Sequence, residues 1–360
     1  MKICYLTDVN SQHTEKWCKY FLEKGYEIHV ISLRNGNIEG VNVHSLEIDN
    51  SVAQKENSSQ KIGYLKQIRK IKKLVKEINP DILHAHYASS YGLLGALCNY
   101  HPYIISLWGS DVLLVPKEGV VQKQILKYNL KKADEIFSTS NYMKIEAQKY
   151  TDKNINITPF GIDINIFNDK ENRSNDCINI GIVKSLEKVY GIDYLIKAFK
   201  YIIDKYPDKK LSLNIIGEGT QEKSLKDLVN SLKLEDKVKF LGKTSQEGVS
   251  EFYNKMHIAV VPSLSESFGV TVLEAQACGI PVVVSDIKAF EETSIVGETS
   301  LMCKKQDVIS LAESLEKLIL NEDLRIEMGK KGKKFVRENY EINYLFNQIN
   351  NLYENINNKI

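Results

Sequence analysis

The chain has little of what marks several protein classes. Its 48 Lys and Arg residues nearly balance its 46 Asp and Glu residues, so the net charge is only +2. A dedicated nucleic-acid binder usually carries a clear basic excess, and we therefore expect no nucleic-acid partner. No apolar run approaches the roughly 20 residues that cross a bilayer. The first apolar run, at residues 3–6, is too short for the core of a signal peptide and predicts a buried strand.

Cysteine is also scarce, and its spacing argues against two common uses. The chain contains 6 cysteines, with no C-x-x-C pair and no metal-ligand cluster. Most of them lie within apolar stretches, as buried free thiols do. These thiols indicate a reducing compartment, so we expect a cytoplasmic protein without structural disulfides.

What the chain does have is a regular alternation of short apolar runs and amphipathic helical stretches. This alternation is typical of βα units whose parallel strands are buried on both faces. We predict an α/β protein with two doubly wound parallel-sheet domains that face each other across a cleft, with ligands at the carboxyl ends of the strands. The predicted domains are residues 1–165, residues 166–335 and a polar terminal helical segment at 336–360, with the linker in the polar stretch 163–176.

The individual elements follow from the same periodicity. Strands are predicted at residues 2–6, 27–32, 81–84, 103–107, 135–139 and 155–158 in the first half, and at 178–183, 211–216, 237–241, 258–261 and 281–284 in the second. Helices are predicted at residues 15–24, 91–98, 192–205, 221–232, 270–278, 308–321 and 341–360.

Residues 260–285 (VVPSLSESFGVTVLEAQACGIPVVVS) concentrate candidate site residues. The pattern predicts a strand, a polar loop with Glu266, and a helix that carries Glu274. Free backbone N–H groups at the start of this helix, together with the helix dipole, suit a diphosphate. Gly269 permits a close approach of the backbone. The alternative is that Glu266 is an ordinary surface residue and Glu274 a carboxylate on the helix face.

Residues 266–281 (ESFGVTVLEAQACGIP) resemble the E-x7-E signature of glycosyltransferase family 4, whose members are retaining glycosyltransferases with the GT-B fold. Other segments resemble blocks of the same family, and the likeness covers nearly the whole chain. These segments are 81–92 (DILHAHYASSYG), 107–111 (LWGSD), 158–163 (TPFGID), 181–199 (GIVKSLEKVYGIDYLIKAF), 216–219 (IGEG) and 238–242 (VKFLG). The resemblance implies a donor domain in the second half of the chain and an acceptor-side domain in the first.

The resemblance also implies roles for single residues of the donor domain. Glu266 is expected at the donor-sugar hydroxyls, as a catalytic residue, and Glu274 at the nucleotide ribose. Lys184 occupies the position of a family Arg that clamps the diphosphate, and it keeps the charge without the bidentate fork. A second family Lys is replaced by Tyr190, and Lys188 lies two places earlier; solvated loop positions are the alternative for both lysines. The other donor-binding residues implied are Gly217, Phe268, Gly269 and Val270.

In the acceptor-side domain, the resemblance makes His86 a catalytic candidate that bonds a sugar hydroxyl or stabilises charge at the transferring carbon. A structural histidine is the alternative. Trp108, Ser110 and Asp111 follow an apolar strand, where an aromatic face and a carboxylate suit carbohydrate if they are exposed. A core Trp beside a capping Asp fits the pattern equally well.

Two further loop residues are candidates on the acceptor side. The polar loop after the first strand replaces a glycine-rich loop of the family, and Asn10 and His13 are its candidates for contact with phosphate or acceptor. His84 lies two residues before His86, but no third ligand stands nearby in sequence, so a metal site is not supported.

The remaining signals concern cofactors and membranes. No D-x-D pair occurs in the chain, so we expect metal-independent chemistry without a cofactor. Residues 217–222 lack the third glycine of a dinucleotide fingerprint. Residues 61–78 and 122–132 predict basic helices, which suit an anionic membrane surface. The alternative is two surface helices whose apolar stripes cover the core.

These observations predict a retaining glycosyltransferase that uses a nucleotide-diphosphate sugar, with UDP favoured over GDP, and a glycan or lipid-linked acceptor. Cell-surface polysaccharide synthesis at the inner face of the membrane is the expected setting. Two alternatives stay open. One is a non-catalytic GT-B subunit that pairs with an active transferase, and the other is a nucleotide-sugar epimerase on the same fold.

Overall fold

The computed structural model describes residues 1–46, 58–170, 173 and 176–358, of which residues 58–62 are described by their backbone alone. The chain divides into two compact units. Unit 1 contains Met1–Phe160 and Tyr344–Ile360, and unit 2 contains Gly161–Asn343. The division therefore falls after Phe160 rather than after residue 165. The terminal segment predicted at 336–360 is not separate, because the chain returns to unit 1 at Tyr344.

Unit 1 is built on a sheet of seven parallel strands in the order β3-β2-β1-β4-β5-β6-β7. The strands are β1 (Lys2–Leu6), β2 (Glu27–Ser32), β3 (Asn42–Ser45), β4 (Ile82–His86), β5 (Tyr103–Leu107), β6 (Glu135–Ser138) and β7 (Ile155–Ile157). The helices are α1 (Gln12–Glu23), α2 (Ile68–Ile78), α3 (Ser90–Cys98), α4 (Ser110–Leu113), α5 (Val120–Lys132) and α6 (Asn141–Ala147), with 3-10 turns at Ser58–Gln67 and Val115–Lys117.

Unit 2 repeats the plan with six parallel strands in the order β10-β9-β8-β11-β12-β13. Its strands are β8 (Ile178–Val183), β9 (Leu211–Ile216), β10 (Val238–Phe240), β11 (Ile258–Val261), β12 (Val282–Ser285) and β13 (Ser300–Cys303). Its helices are α7 (Ile192–Lys205), α8 (Glu222–Ser231), α9 (Gln246–Lys255), α10 (Val270–Ala277), α11 (Phe290–Thr293), α12 (Val308–Leu320) and α13 (Glu322–Asn339), with a 3-10 turn at Lys188–Tyr190. The last helix, α14 (Ile342–Asn357), ends in unit 1.

The predicted pair of doubly wound parallel-sheet domains is confirmed. Strands β4 and β5 are buried at every position, as parallel strands covered by helices on both faces must be. The periodicity misses β3 and β13. Both lie at an edge of their sheet and are partly exposed, so neither needs the continuous apolar run that identifies a central strand.

Each sheet has one position at which the strand order changes direction. In unit 1 this position lies between β1 and β4, and in unit 2 it lies between β8 and β11. The connections on the two sides of such a position leave in opposite directions. They leave a crevice at the carboxyl ends of the strands, where open α/β sheets bind ligands. A ligand site is therefore expected at each of these two switch points.

Helix α14 is amphipathic rather than polar, and it packs on the first unit. Its buried residues fall on one helical face, at Leu345, Phe346, Ile349, Tyr353 and Ile356. Phe346 stacks on Tyr20 of α1 with ring centroids 4.9 Å apart. The Tyr20 hydroxyl also donates to Asn347 Oδ1 at 2.6 Å. Asn347 therefore accepts a hydrogen bond that attaches the helix to α1.

A buried hydrogen-bond chain fastens this helix to the sheet. The two ring nitrogens of His84 in β4 contact the Tyr353 hydroxyl at 2.5 Å and Ser106 Oγ at 2.8 Å. His84 is fully buried, and this burial lowers the pKa of its ring to about 3. The ring is therefore neutral and satisfied at both nitrogens, which is the structural role of a core histidine.

We expect Tyr353→Phe to lower the free energy of unfolding of unit 1 by about 1–3 kcal/mol, because one buried nitrogen of His84 loses its partner. Urea unfolding followed by tryptophan fluorescence measures this, since both tryptophans, Trp17 and Trp108, lie in unit 1. Tyr201→Phe is the matched control, because Tyr201 is 41% exposed on α7 of unit 2. Equal effects of the two substitutions would contradict the prediction.

Candidate functional site

A pair of opposite charges spans the switch point of unit 2. Lys184 follows β8 and Glu266 follows β11, and their side chains form an ion pair in which each is only 11% exposed. Ser263 donates a hydrogen bond to Glu266 Oε1 at 3.1 Å. The ring centroid of Tyr190 lies 4.8 Å from Lys184 Nζ. The two predicted site residues are thus brought together in a partly desolvated environment, where charges interact more strongly than in water.

Gly217, a predicted donor-binding residue, contacts the Lys184 loop through its backbone. It follows β9, and its φ of +137° is one that residues with a Cβ rarely adopt. A Cβ at this position would lie 1.9 Å from the carbonyl oxygen of Lys184. The absence of a side chain at Gly217 therefore permits the loop that carries Lys184 to pass close by.

The start of helix α10 is shaped by tight packing. Gly269 is the N-cap with φ +100°, and a Cβ there would lie 2.8 Å from the ring of Phe290. Phe268 is 1% exposed, and its ring centroid lies 5.8 Å from that of Tyr340. The Phe268 side chain is therefore a packing anchor. The groups of this segment that are suited to bind a ligand are therefore the backbone N–H groups at the start of α10.

Helix α10 itself carries the second predicted carboxylate. Val270 opens the helix and Glu274 lies one turn later, and both are half-buried. Burial is the main cause that raises the pKa of Tyr253 on α9, and the charge of Glu274 adds to it. The Thr271 hydroxyl is buried without a hydrogen-bond partner among the residues that the structure describes. Nothing in the sequence motif marks this side chain.

Lys188 lies outside the ion pair of Lys184 and Glu266. It is exposed in the 3-10 turn and lines a pocket of about 340 Å³ whose other charged residues are Glu187, Asp193 and Lys197. Lys184 and Glu266 are not among the described residues that line this pocket. Lys184 is thus the lysine that pairs with Glu266 at the switch point, and Lys188 lines a different pocket.

At the switch point of unit 1, His86 ends strand β4 and is 1% exposed. Its ring lies among the aromatic rings of Tyr5, Trp17 and Trp108, with centroid distances of 5.0, 4.9 and 4.5 Å. Neither ring nitrogen has a hydrogen-bond partner within the described part of the chain. Burial, and secondarily His84 and His13, lowers the pKa of His86 well below its usual value, so the ring is neutral.

The other aromatic candidates lie beside His86. His13 stacks on Phe160 with ring centroids 3.9 Å apart, and Trp108 contacts both rings edge-on. Burial lowers the pKa of His13 to about 3. His13 and Trp108 are both partly exposed, so this cluster continues from the buried His86 to the surface of unit 1.

Of the two alternatives for Asp111, an exposed carbohydrate ligand or a capping carboxylate, the structure supports the capping carboxylate. The side chain is fully buried, and its carboxylate accepts hydrogen bonds from the backbone N–H groups of Ala88 and Gly109, both at 2.7 Å. It thereby ties the loop after β4 to the loop after β5. Ser110 Oγ contacts the Tyr87 hydroxyl and adds a second link between these loops. Asp111 is therefore a buried carboxylate that caps backbone N–H groups, and it is not an exposed ligand for carbohydrate.

Asn10 lies on the outer side of the first loop. It is exposed, and its side-chain amide donates to the backbone carbonyl of Asn35 at 2.9 Å. Asp8 accepts from the Asn10 backbone at 3.1 Å and pairs with Arg34 at 3.2 Å. These contacts give the loop after β1 a fixed shape, and Asn10 is not brought to His86 by any of them.

The two predicted basic helices differ in what they expose. Residues 58–67 form a 3-10 turn and only Ile68–Ile78 are α-helical, with the apolar stripe of Ile71, Val75 and Ile78 buried in the core of unit 1. On α5, by contrast, Val120 and Val121 are 75% and 63% exposed. Within the described ranges no helix is long and apolar enough to cross a bilayer.

No group of three or more His, Cys, Asp or Glu side chains is placed to hold a metal ion in the part of the chain that is described. The switch point of unit 2 instead presents the paired charges of Lys184 and Glu266, followed along the chain by the start of α10, which carries Glu274. This set suits an anionic ligand that carries hydroxyl groups.

Two family models match the chain in sequence. One, described as glycosyl transferase 4-like, matches residues 2–140, and the other, described as glycosyl transferases group 1, matches residues 163–335. The chain is 30% identical over 282 residues to an uncharacterized glycosyltransferase of Methanocaldococcus jannaschii. This alignment covers 77% of this chain and 76% of the relative. It is 29% identical to the capsular polysaccharide biosynthesis glycosyltransferase CapM of Staphylococcus aureus, over 68% of this chain and 61% of the relative.

Solved structures resemble the whole chain. A sucrose-phosphate synthase from Thermosynechococcus elongatus has a TM-score of 0.85 at 18% identity and covers 99% of this chain and 98% of its own. Anabaena HepE in complex with UDP-glucose has a TM-score of 0.81 at 16% identity, and the match covers 99% of this chain and 100% of the HepE chain. At these identities the likeness shows the fold, which is the predicted GT-B fold.

The unpartnered ring of His86 leads to a prediction about stability. We expect His86→Phe to be no less stable than the wild type at pH 7.5, because the substitution removes two buried nitrogens that have no partner and keeps an aromatic ring. His86→Gln keeps an unpartnered polar group and should be less stable than His86→Phe. Urea unfolding followed by tryptophan fluorescence measures both.

The difference between wild type and His86→Phe should grow in acid. The pKa of His86 is lowered in the folded state, so below about pH 6.5 the unfolded chain takes up a proton that the folded chain does not. The wild type therefore loses about 1.4 kcal/mol of stability per pH unit as the pH falls below that value, whereas His86→Phe has no ring to protonate at this position. A constant difference between pH 7.5 and pH 5 would contradict this assignment.

Proposed function

Because the chain belongs to the glycosyl transferases group 1 family and is therefore a glycosyltransferase, we propose that it is a retaining enzyme that uses a nucleotide-diphosphate sugar. In this proposal unit 2 binds the donor, and residues of unit 1 serve a glycan or lipid-linked acceptor. The activity itself follows from the family. The donor, the stereochemical course and the acceptor are the content of the proposal.

The observation that carries the proposal is the ion pair of Lys184 and Glu266 at the switch point. On donor binding, the Lys184 ammonium exchanges the carboxylate for the diphosphate and neutralises the charge that grows on the leaving group. Glu266 then accepts hydrogen bonds from the sugar and stabilises positive charge at the transferring carbon. Before the donor arrives, each group compensates the other, since an unpaired charge at 11% exposure is costly.

The other residues follow the same assignment. Glu274 accepts hydrogen bonds from the ribose, and the backbone N–H groups at Gly269 and Val270 meet the diphosphate at the start of α10. The acceptor hydroxyl attacks on the face from which the phosphate leaves, and the departing phosphate takes the hydroxyl proton. His86 offers a nitrogen without a partner to a sugar hydroxyl.

The nucleotide and the acceptor are inferred from similar proteins. Anabaena HepE, which shares the fold, has been solved with UDP-glucose bound, and this supports UDP rather than GDP as the nucleotide. The CapM relative is named for capsular polysaccharide biosynthesis, which supports an acceptor in cell-surface polysaccharide synthesis. The cytoplasmic side of the membrane is part of the proposal. Metal-independent transfer is part of the proposal because the chain has no D-x-D pair.

A donor panel tests the proposal. We expect one UDP-sugar to raise the melting temperature of the wild type and to be hydrolysed slowly without acceptor, in the presence of EDTA as well as in its absence. Lys184→Ala should weaken binding about 10- to 100-fold, because a charge-assisted hydrogen bond to phosphate is lost. Glu274→Ala should weaken UDP binding in the same range, through the ribose. Isothermal titration with UDP measures both.

Lys188→Ala is the matched control, because this lysine lines the other pocket, and it should bind UDP as the wild type does. Failure of every UDP- and GDP-sugar to bind the folded wild type would overturn the proposal and favour a non-catalytic subunit. Interconversion of free nucleotide sugars without transfer would favour an epimerase. With acceptor, a donor-dependent mass gain whose new bond keeps the anomeric configuration supports the retaining course.

We also propose that unit 1 contacts an anionic membrane through one surface, defined by Leu114, Val120, Val121 and the lysines of α5. Leu114 is 50% exposed, and Val120 and Val121 are more exposed still. On α5, Lys123, Lys127 and Lys131 are exposed. Apolar side chains beside several lysines suit the headgroup region, where each lysine contributes about 1 kcal/mol.

We expect the wild type to sediment with phosphatidylglycerol vesicles and not with phosphatidylcholine vesicles, and to be released by high salt. Val120→Asp/Val121→Asp should reduce the bound fraction severalfold, because the apolar contact is lost. Ile295→Asp/Val296→Asp, at a partly exposed apolar pair of unit 2, is the control. Equal binding of both variants would contradict the assigned surface.

A further inference from the structure

Tyr190 is the residue at the switch point of unit 2 that the proposed chemistry leaves unused. Its ring is half-buried, packs against the hydrophobic core of unit 2, and turns toward Lys184 with 4.8 Å between the ring centroid and Nζ. A cation at this distance from an aromatic ring is attracted by the ring electrons, and more strongly where water is excluded. The 11% exposure of the Lys184 side chain meets that condition.

The backbone fixes the ring in this place. Tyr190 ends a 3-10 turn, and the next residue, Gly191, has a φ of +63°. A Cβ at Gly191 would lie 2.3 Å from the carbonyl oxygen of Pro262. One residue before Tyr190, the carbonyl of Val189 accepts a hydrogen bond from Leu264 N at 2.7 Å. The turn is therefore attached to the loop that leads from β11 to Glu266.

Lys184 thus lies between two partners with different properties. Glu266 is an anion that a phosphate group replaces, whereas the Tyr190 ring is neutral and does not compete with phosphate. A lysine is a flexible point charge that gains from being held in one orientation. The ring keeps the ammonium in the same orientation whether its anionic partner is the carboxylate or the phosphate.

We propose that Tyr190 is a positioning residue that acts through Lys184 and increases the affinity of unit 2 for the diphosphate part of a nucleotide. The inference rests on the proposed function, since it concerns the same donor site. Its contribution is specific to the phosphate groups. The nucleoside part of the ligand gains nothing from it.

The test compares UDP with uridine, and in parallel GDP with guanosine, by isothermal titration. Tyr190→Leu keeps an apolar side chain and removes the ring, and it should weaken binding of the diphosphate about tenfold while leaving the nucleoside unchanged. Tyr190→Phe keeps the ring and should bind both ligands as the wild type does. In a Lys184→Ala background, Tyr190→Leu should have no further effect.

The chain offers a matched control. Lys197 lies 5.3 Å from the ring centroid of Tyr194 and pairs with Asp193 at 2.9 Å, so the same arrangement of cation, ring and carboxylate recurs away from Glu266. Tyr194→Leu should leave the diphosphate affinity unchanged.

Three results would overturn the inference while the proposed function stands. These are unchanged diphosphate binding in Tyr190→Leu, an equal loss for diphosphate and nucleoside, and a full loss in the Lys184→Ala background. A wild type that binds neither UDP nor GDP overturns the proposed function, and the inference with it. Thermal unfolding of each variant separates these results from loss of the fold.

Discussion

The sheet of unit 2 changes strand direction between β8 and β11, and this change brings Lys184 and Glu266 into contact although 82 residues separate them. Two opposite charges at low exposure must remain together or both be resolvated, because a single buried charge is costly. The surrounding features follow from this need. Gly217 permits the close approach of the Lys184 loop, and Ser263 satisfies a further lone pair of Glu266.

Unit 1 uses its switch point differently, with aromatic rings in place of charges. The rings of Tyr5, Trp17 and Trp108 surround His86 and keep it neutral. The neighbouring His84 is just as buried but is bonded at both nitrogens, one of them by Tyr353 of helix α14. Two histidines of one strand therefore have different hydrogen-bond environments. His84 has the bonded environment of a structural residue, and His86 has free capacity for a ligand.

In the proposed function, a diphosphate enters the site of unit 2 by replacing Glu266 as the partner of Lys184. The cation is paired with a carboxylate before the ligand binds, so binding does not require an isolated charge at any stage. In the same proposal the Tyr190 ring is the fixed component, because the backbone contacts of Gly191 and Leu264 hold the turn in place. The proposed function also gives Glu266 a second role, since in that proposal Glu266 becomes free for the sugar only when a phosphate group takes its place at Lys184.

The order of residues along the chain was enough to predict the two parallel-sheet units, most strand bounds and the family, because buried parallel strands need continuous apolar runs and because the residues around Glu266 and Glu274 form a recognisable motif. Contacts between distant segments became known only with the folded chain. Periodicity predicts α14 as a helix, but it does not assign the helix to unit 1. The sequence likewise does not distinguish an exposed Asp after a strand from one that, like Asp111, is buried against backbone N–H groups. The place of Tyr190 beside Lys184 likewise depends on how a turn of the chain packs on a neighbouring loop, and no local pattern encodes that.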